Sequence, residues 1–388
     1  MRRTRPFLFA LFFLALLECA LRCFLPVDER VLLDARNPFG CFADDELLRL
    51  QKARESDTPA LDVVLVGDSV LASVENGPGE RLVDLLPLEL STRLPTAYQG
   101  RSVRVWSVSM SAARAADQLA ALKILYDRLR TTRKGTRDLV VVVSSNLLFF
   151  SKRFSAESMN YPCLSYALAD DGLLLRRLGM PTPNKGLWTT SDAFLSQVAS
   201  HLYLFQQRRH LAEWLAGGPL RPRIREGLTR AGRRLHGQHQ AEVVPQGALG
   251  AKLRNRPWFE REHRRESFVT HYQYLPSRSP LAWNWTATRA LVEFLRSHRD
   301  LQTLVMVNPH NHFLIGPLGE TPDYRNLVTE IERTVQGAGL VAANYDRRPE
   351  LRSEHFLDID HFTRDGNQVL SSLIATDVAA LLSATERQ

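Results

Sequence analysis

Three side chains far apart in this chain have the chemistry to open an ester. Ser69 ends the run Leu61-Asp62-Val63-Val64-Leu65-Val66-Gly67-Asp68-Ser69. Much later, Asp358-Ile359-Asp360-His361 sets two carboxylates one and three residues before a histidine. A serine hydroxyl is a weak nucleophile near neutral pH. It needs a base within hydrogen-bond reach, and the base needs a group that fixes its tautomer. A carboxylate three residues before a histidine can bend back to one ring nitrogen and leave the other facing outward. Ser69 is then the nucleophile, His361 the base and Asp358 the orienter, with Asp360 a rival for the last role. Taken singly, each motif also reads as ordinary structure: a strand-to-helix turn capped by Asp or Ser, and a histidine near a helix start.

For these groups to meet, they must sit at one edge of one sheet. The Val- and Leu-rich run before Gly67 reads as a buried parallel strand. Gly67 allows a sharp turn, and Asp68 and Ser69 fall at a helix start beyond the strand's carboxyl end, where ligands bind in open α/β sheets. Further strands are expected at 102–108, 138–143, 301–307 and 340–344. Helices are expected at 80–94, 112–130, 286–297, 324–337 and after Thr363. In the last of these, Val369, Leu370, Leu373, Ile374, Val378 and Leu382 make the buried face. This alternation predicts an α/β fold, a parallel sheet with helices on both faces. The loop carrying Asp358 and His361 follows the last strand, so it lies at the Ser69 edge. His310 and His312 follow the fourth strand at that edge and, with Asp68, are candidates for substrate binding.

The 388 residues carry 44% hydrophobic and 24% charged side chains, a balance that buries a real core. The net charge of +8 suits anionic partners, but no nucleic-acid signature accompanies it. No metal-ligand spacing occurs, and the chemistry outlined needs neither a metal nor a cofactor. Arg2, Arg3 and Arg5 precede an unbroken apolar run from Phe7 to Leu17, whose apolar character continues to Leu25, interrupted by Glu18 and Arg22, until Pro26 ends it. That reads as an uncleaved single-pass anchor over 1–26, with the cytoplasm on the Arg side and the rest of the chain outside. A cleaved signal peptide is the competing reading, and it lacks small residues at its cleavage site. Residues 27–58 read as a stalk with a short helix at 44–55. The domain then splits into halves at 59–150 and 285–388 around a mainly helical, basic insertion at 151–284. That insertion holds an amphipathic helix over 191–215 and eight arginines between 208 and 234. Cys41 and Cys163 are the cysteines of the exported part and are candidates for one disulfide. Asn284-Trp285-Thr286 matches a glycosylation sequon.

Gly67-Asp68-Ser69 and Asp358-x-x-His361 resemble the first and last blocks of the SGNH, or GDSL, hydrolase superfamily. The resemblance implies a three-layer, flavodoxin-like SGNH sandwich. It also implies an oxyanion site made by the backbone N–H of Ser69, a backbone N–H after the second strand and an Asn side chain. Here Met110 stands where that family usually has glycine, and Ser144-Ser145-Asn146 stands for its Gly-x-Asn block, so Met110 and Asn146 are the implied donors. The anchor, the long insertion and the ending Phe-Leu-Asp-x-Asp-His-Phe are similar to the membrane-anchored acyl-transfer branch, with its teichoic-acid D-alanyl-transfer and alginate O-acetylation proteins. That branch implies transfer of an acyl group to an envelope glycan through an acyl-serine, on the periplasmic side of the inner membrane, beside a membrane-bound O-acyltransferase partner. The alternatives are an esterase or deacetylase of envelope glycan, and a catalytically inactive scaffold that binds glycan or a partner.

Overall fold

Seven consecutive buried residues, Ala60–Val66, form β1. Both faces of this strand are covered, which is why its sequence is apolar almost throughout rather than alternating. The computed structural model describes residues 44–56, 59–73, 76–110, 112–132, 134–151, 154, 159, 167, 168, 171–178, 274 and 283–386. These belong to one unit drawn from 41–182 and 244–388. The anchor at 1–26, all four cysteines, the 191–215 helix and the arginines of 208–234 lie outside the described residues.

Around β1 lie β2 (Ser102–Ser107), β3 (Leu139–Ser145), β4 (Gln302–Val307) and β5 (Val341–Asn344). All pairs are parallel and the order is β2-β1-β3-β4-β5. Order 2-1-3-4-5 is one of the two common doubly wound arrangements, and its ligand crevice opens where strand order reverses, beside β1 and β3. Register is set by Val63 opposite Val105 on one side of β1 and Val64 opposite Val141 on the other.

Among the described residues the helices are α1 (Asp44–Glu55), α2 (Ser69–Ala72), α3 (Leu82–Ser91), α4 (Ala115–Leu129), α5 (Gly172–Arg177), α6 (Trp283–Ser297), α7 (His312–Ile315), α8 (Pro322–Gly337) and α9 (Arg364–Glu386). They divide between two faces. Val64, Val66, Val141, Val143, Val305 and Val307 point to the core shared with α4, α6 and α8. Leu61, Val63, Leu65, Val140, Val142 and Leu304 point to the core shared with α3 and α9. The split follows the period of two along each strand.

Thr363 caps α9 by accepting the Gly366 N–H at 3.1 Å. Leu370, Ile374, Val378 and Leu382 are fully buried on that helix, while Val369 and Leu373 are half-buried. Among the described residues, Arg364–Thr385 is the helix long and apolar enough to cross a membrane. Its apolar face is here taken up by the sheet and α3.

Helix α1 forms where expected but is not part of a stalk. Leu47 and Leu50 are buried in the domain core. Arg54, also fully buried, donates to Asp62 Oδ2 at 2.7 Å. Asp62 accepts in addition from Arg104 Nε at 2.7 Å and from Trp106 Nε1 at 2.9 Å, so one β1 carboxylate fastens α1 and the edge strand β2. Residues 44–56 therefore do not belong to the expected stalk, and 27–43 lie outside the described residues. Asn284 of the sequon is buried and donates to the Phe149 carbonyl, which removes it from any glycosylating enzyme.

Candidate active site

Gly67 brings β1 to its end against β3. A Cβ there would lie 2.2 Å from Ser144 Oγ and 2.9 Å from Ser144 Cβ. Closeness to β3, rather than an unusual backbone angle, is what makes this position a glycine. Asp68 then caps α2, accepting the Val70 N–H at 3.1 Å, and Ser69 becomes the first helical residue. At the far end of the chain, Phe356 and Phe362 pair across an antiparallel bridge, with ring centroids 4.6 Å apart. Leu357 N–H donates to the His361 carbonyl at 2.7 Å, and the loop between closes tightly.

Inside that loop Asp358 Oδ1 accepts the backbone N–H of Asp360 at 3.1 Å and of His361 at 2.8 Å. This local turn bends the carboxylate back to the imidazole: Oδ2 lies 2.8 Å from His361 Nδ1. The other ring nitrogen, Nε2, lies 2.8 Å from Ser69 Oγ, across 292 positions of sequence. Asp360 Oδ1 stands farther from Nδ1, at 3.3 Å. The structure thus brings Ser69, His361 and Asp358 into one hydrogen-bonded line, with Asp358 the nearer of the two carboxylates. Asp358, Asp360 and His361 also hold donor atoms within 4.8 Å of one another, a grouping that can receive a cation. Their hydrogen bonds to each other already account for the cluster.

The implied oxyanion donors are disposed differently. Met110 N–H donates to the Gly67 carbonyl at 2.9 Å. Asn146 is buried, its Oδ1 accepts the Leu148 N–H at 3.0 Å, and its Nδ2 donates to Asp68 Oδ2 at 2.6 Å and to Asp360 Oδ2 at 2.7 Å. Two of the three donors are therefore bonded to protein oxygens, which leaves the Ser69 N–H.

The three substrate-binding candidates face elsewhere. Asp68 is fully buried, and its oxygens accept from Val70, Asn146 and, at 3.4 Å, Asn308. His310 Nδ1 lies 3.0 Å from the Tyr324 hydroxyl. His312 Nε2 lies 2.9 Å from Asp346 Oδ1, to which Tyr324 also donates at 2.8 Å. These two histidines bond to Tyr324 and Asp346 rather than to Ser69 or His361. Burial pushes His310 down to about 4, so its ring is neutral.

Two residues to which the sequence reading gave no role support the site, Asn311 on the His361 loop and Asn308 beside Ser69. Asn311 N–H donates to the Ile359 carbonyl at 2.7 Å and its Nδ2 to the Asp358 carbonyl at 3.3 Å. Asn308 reaches Asp68. The signal was Asn308-Pro309-His310-Asn311 directly after an apolar strand, which singles out the turn but not its amide partners.

Electrostatics separate the carboxyl groups. Burial opposes ionisation of Asp358, but the His361 ring and two backbone N–H groups outweigh it and hold this carboxyl below its usual range. Burial, aided by the Asp360 charge, raises Asp68 to about 6. Burial also raises Asp360, with Asp358 adding to the effect. An ionised orienter thus stands beside two carboxyls that retain protons more readily. No known family model matches the chain, and no curated protein matches its sequence.

Proposed function

We propose that the chain is a membrane-anchored, extracytoplasmic serine O-acyltransferase that modifies a cell-envelope glycan through an acyl-serine intermediate. The observation that carries the enzymatic part is His361 Nε2 at 2.8 Å from Ser69 Oγ, with Nδ1 at 2.8 Å from an ionised Asp358. With Asp358 accepting from Nδ1–H, Nε2 bears the lone pair that takes the Ser69 proton. The Ser69 oxygen then bonds to the acyl carbon, the donor's C–O bond breaks, and His361 returns the proton to the departing alcohol. In the second half, a sugar hydroxyl gives its proton to His361 and bonds to the acyl carbon, the bond from that carbon to the Ser69 oxygen breaks, and His361 returns the proton to the Ser69 oxygen. Water in place of the sugar makes the same site an esterase. The largely apolar segment from Phe7 to Leu25 and the arginines before it support the anchor and its orientation. The glycan acceptor and an O-acyltransferase partner in the membrane rest on the family resemblance.

A second reading, an inactive glycan- or partner-binding scaffold, draws on Met110 N–H and Asn146 Nδ2 being bonded to protein oxygens. A fluorophosphonate probe separates the two. Wild type is expected to be labelled at Ser69, with labelling abolished in Ser69→Ala and greatly slowed in His361→Ala. Folded wild-type protein that stays unlabelled overturns the enzymatic reading. Product analysis with a glycan acceptor then decides transfer: release of free acid alone at every acceptor concentration refutes it.

A further inference from the structure

Asn146 is a chemical oddity as an oxyanion donor, because both hydrogens of its amide are already committed. An amide nitrogen carries two hydrogens. Here one goes to Asp68 at 2.6 Å and the other to Asp360 at 2.7 Å, inside the protein, while Oδ1 caps Leu148. Hydrogen bonds to carboxylates are among the stronger ones, and a buried donor gives up two of them only at considerable cost. The sequence positions of the partners matter as much as the distances. Asp68 immediately precedes Ser69, and Asp360 immediately precedes His361. Asn146 follows β3, between the strand that delivers the hydroxyl and the loop that delivers the imidazole.

We propose that Asn146 is a positioning residue: acting through Asp68 and Asp360, it holds the His361 loop at hydrogen-bond distance from Ser69. The proposal rests on the acyl-transfer reading of the site. It makes Asn146 a brace with one arm on each half of the reacting pair. A neutral amide suits this place. It satisfies one oxygen of each carboxyl without adding a charge that would force both to ionise side by side. Burial raises both Asp68 and Asp360, and the hydrogen bond from Asn146 opposes that rise at each of them. Asn308 supports the same carboxyl from the end of β4, and Asn311 supports the His361 loop through backbone carbonyls. Removing the brace frees the loop to shift, and a displacement of about 1 Å at a reacting pair costs on the order of 100-fold in rate.

The test is a double-mutant cycle on the fluorophosphonate labelling rate with Asn146→Ala, Asp360→Ala and both together. Each single variant is expected to slow labelling about 100-fold. The double variant is expected to be no more than about threefold slower than the worse single, because both remove one linkage. An oxyanion donor acts independently of Asp360, so a double-variant loss equal to the product of the single losses overturns the proposal. A second readout needs no turnover: the low-field proton resonance of His361 Nδ1–H, assigned by its loss in His361→Ala. It is expected to broaden or shift in Asn146→Ala and in Asp360→Ala, and a resonance unchanged from wild type in both refutes the brace. Unlabelled wild type defeats the acyl-transfer reading alone, since the resonance still decides the brace. If Asn146→Ala does not fold, Asn146→Ser takes its place. It can still cap Leu148 but cannot reach both carboxyls.

Discussion

Replacing Asp358 by Asn alters one atom and is expected to reverse the tautomer of His361 while leaving the loop closed. In wild type Asp358 Oδ1 accepts two backbone N–H groups, from Asp360 and His361, and Oδ2 lies against Nδ1. Both backbone groups are donors, so the Asn oxygen must take the Oδ1 place. Turning the amide over would set its NH2 against two N–H groups. The Asn Nδ2 therefore occupies the Oδ2 place and points a hydrogen at Nδ1. Nδ1 lies nearer the Oδ2 place, at 2.8 Å, than the Oδ1 place, at 3.0 Å, so it accepts from the amide and His361 carries its proton on Nε2. A protonated Nε2 cannot take the Ser69 proton across the 2.8 Å contact. The same change in another serine triad costs about 10⁴-fold, equivalent to about 5 kcal/mol of barrier. The fold should lose far less, about 1–3 kcal/mol for a charged hydrogen bond made neutral. The assay is the second-order labelling rate by a fluorophosphonate, alongside urea unfolding. Asp360→Asn serves as the comparison, since its oxygen is the farther from Nδ1. A labelling rate for folded Asp358→Asn within about tenfold of wild type refutes the tautomer argument.

Three further outcomes are expected. Gly67→Ala drives a Cβ into Ser144 and should destabilise by about 1–3 kcal/mol in urea unfolding. In a Ser144→Gly background the same change should cost less than about 1 kcal/mol, and an undiminished cost refutes the contact. Asp62→Ala leaves the buried Arg54 guanidinium without its carboxylate and should cost about 3–5 kcal/mol, while a loss under about 1 kcal/mol contradicts the buried pairing. Asp68 rises on folding from 3.8 to about 6. The native state then holds this proton longer than the unfolded chain, so stability falls as pH climbs through that window, by about 3 kcal/mol. The stability of wild type relative to Asp68→Asn should therefore drop between pH 4 and pH 7, and parallel profiles would contradict the shift. Asp358 acts in the opposite sense: its contribution is present above the unfolded value and is lost as pH falls through the depressed folded one.

Strands were legible because burial on both faces leaves a plain record, as in Leu61 to Val66 and Leu139 to Val143. Closing-helix residues Leu370, Ile374, Val378 and Leu382 were legible from their spacing. Ser69, Asp358 and His361 were legible because the proposed roles of nucleophile, orienter and base restrict both residue type and local spacing. The bonds of Asn146 were not. An amide's choice between an oxyanion and two carboxyls depends on which loops converge, and no local period encodes that. Met110 N–H is similar: its bond to Gly67 comes from the meeting of two strand ends. Helix α1 was assigned to a stalk because its sequence is polar overall. Its few inward residues, Leu47, Leu50 and Arg54, matter only once β1 offers Asp62. His310 and His312 sit at the expected edge, yet Tyr324 and Asp346, from other segments, each hold one of their ring nitrogens.

The hydroxyl and its base come from opposite ends of the folded domain's sequence, 292 positions apart. During synthesis, Ser69 leaves the ribosome long before His361 exists. Through most of translation the nascent chain thus carries an unarmed serine that cannot acylate itself on whatever activated esters the cytoplasm contains. On the proposed reading, arming waits until α9 has been made and has docked against the sheet and α3, which ties reactivity to completion of the core. A chain halted before Phe356 would be expected to stay inert toward a serine-directed probe, whatever its compartment.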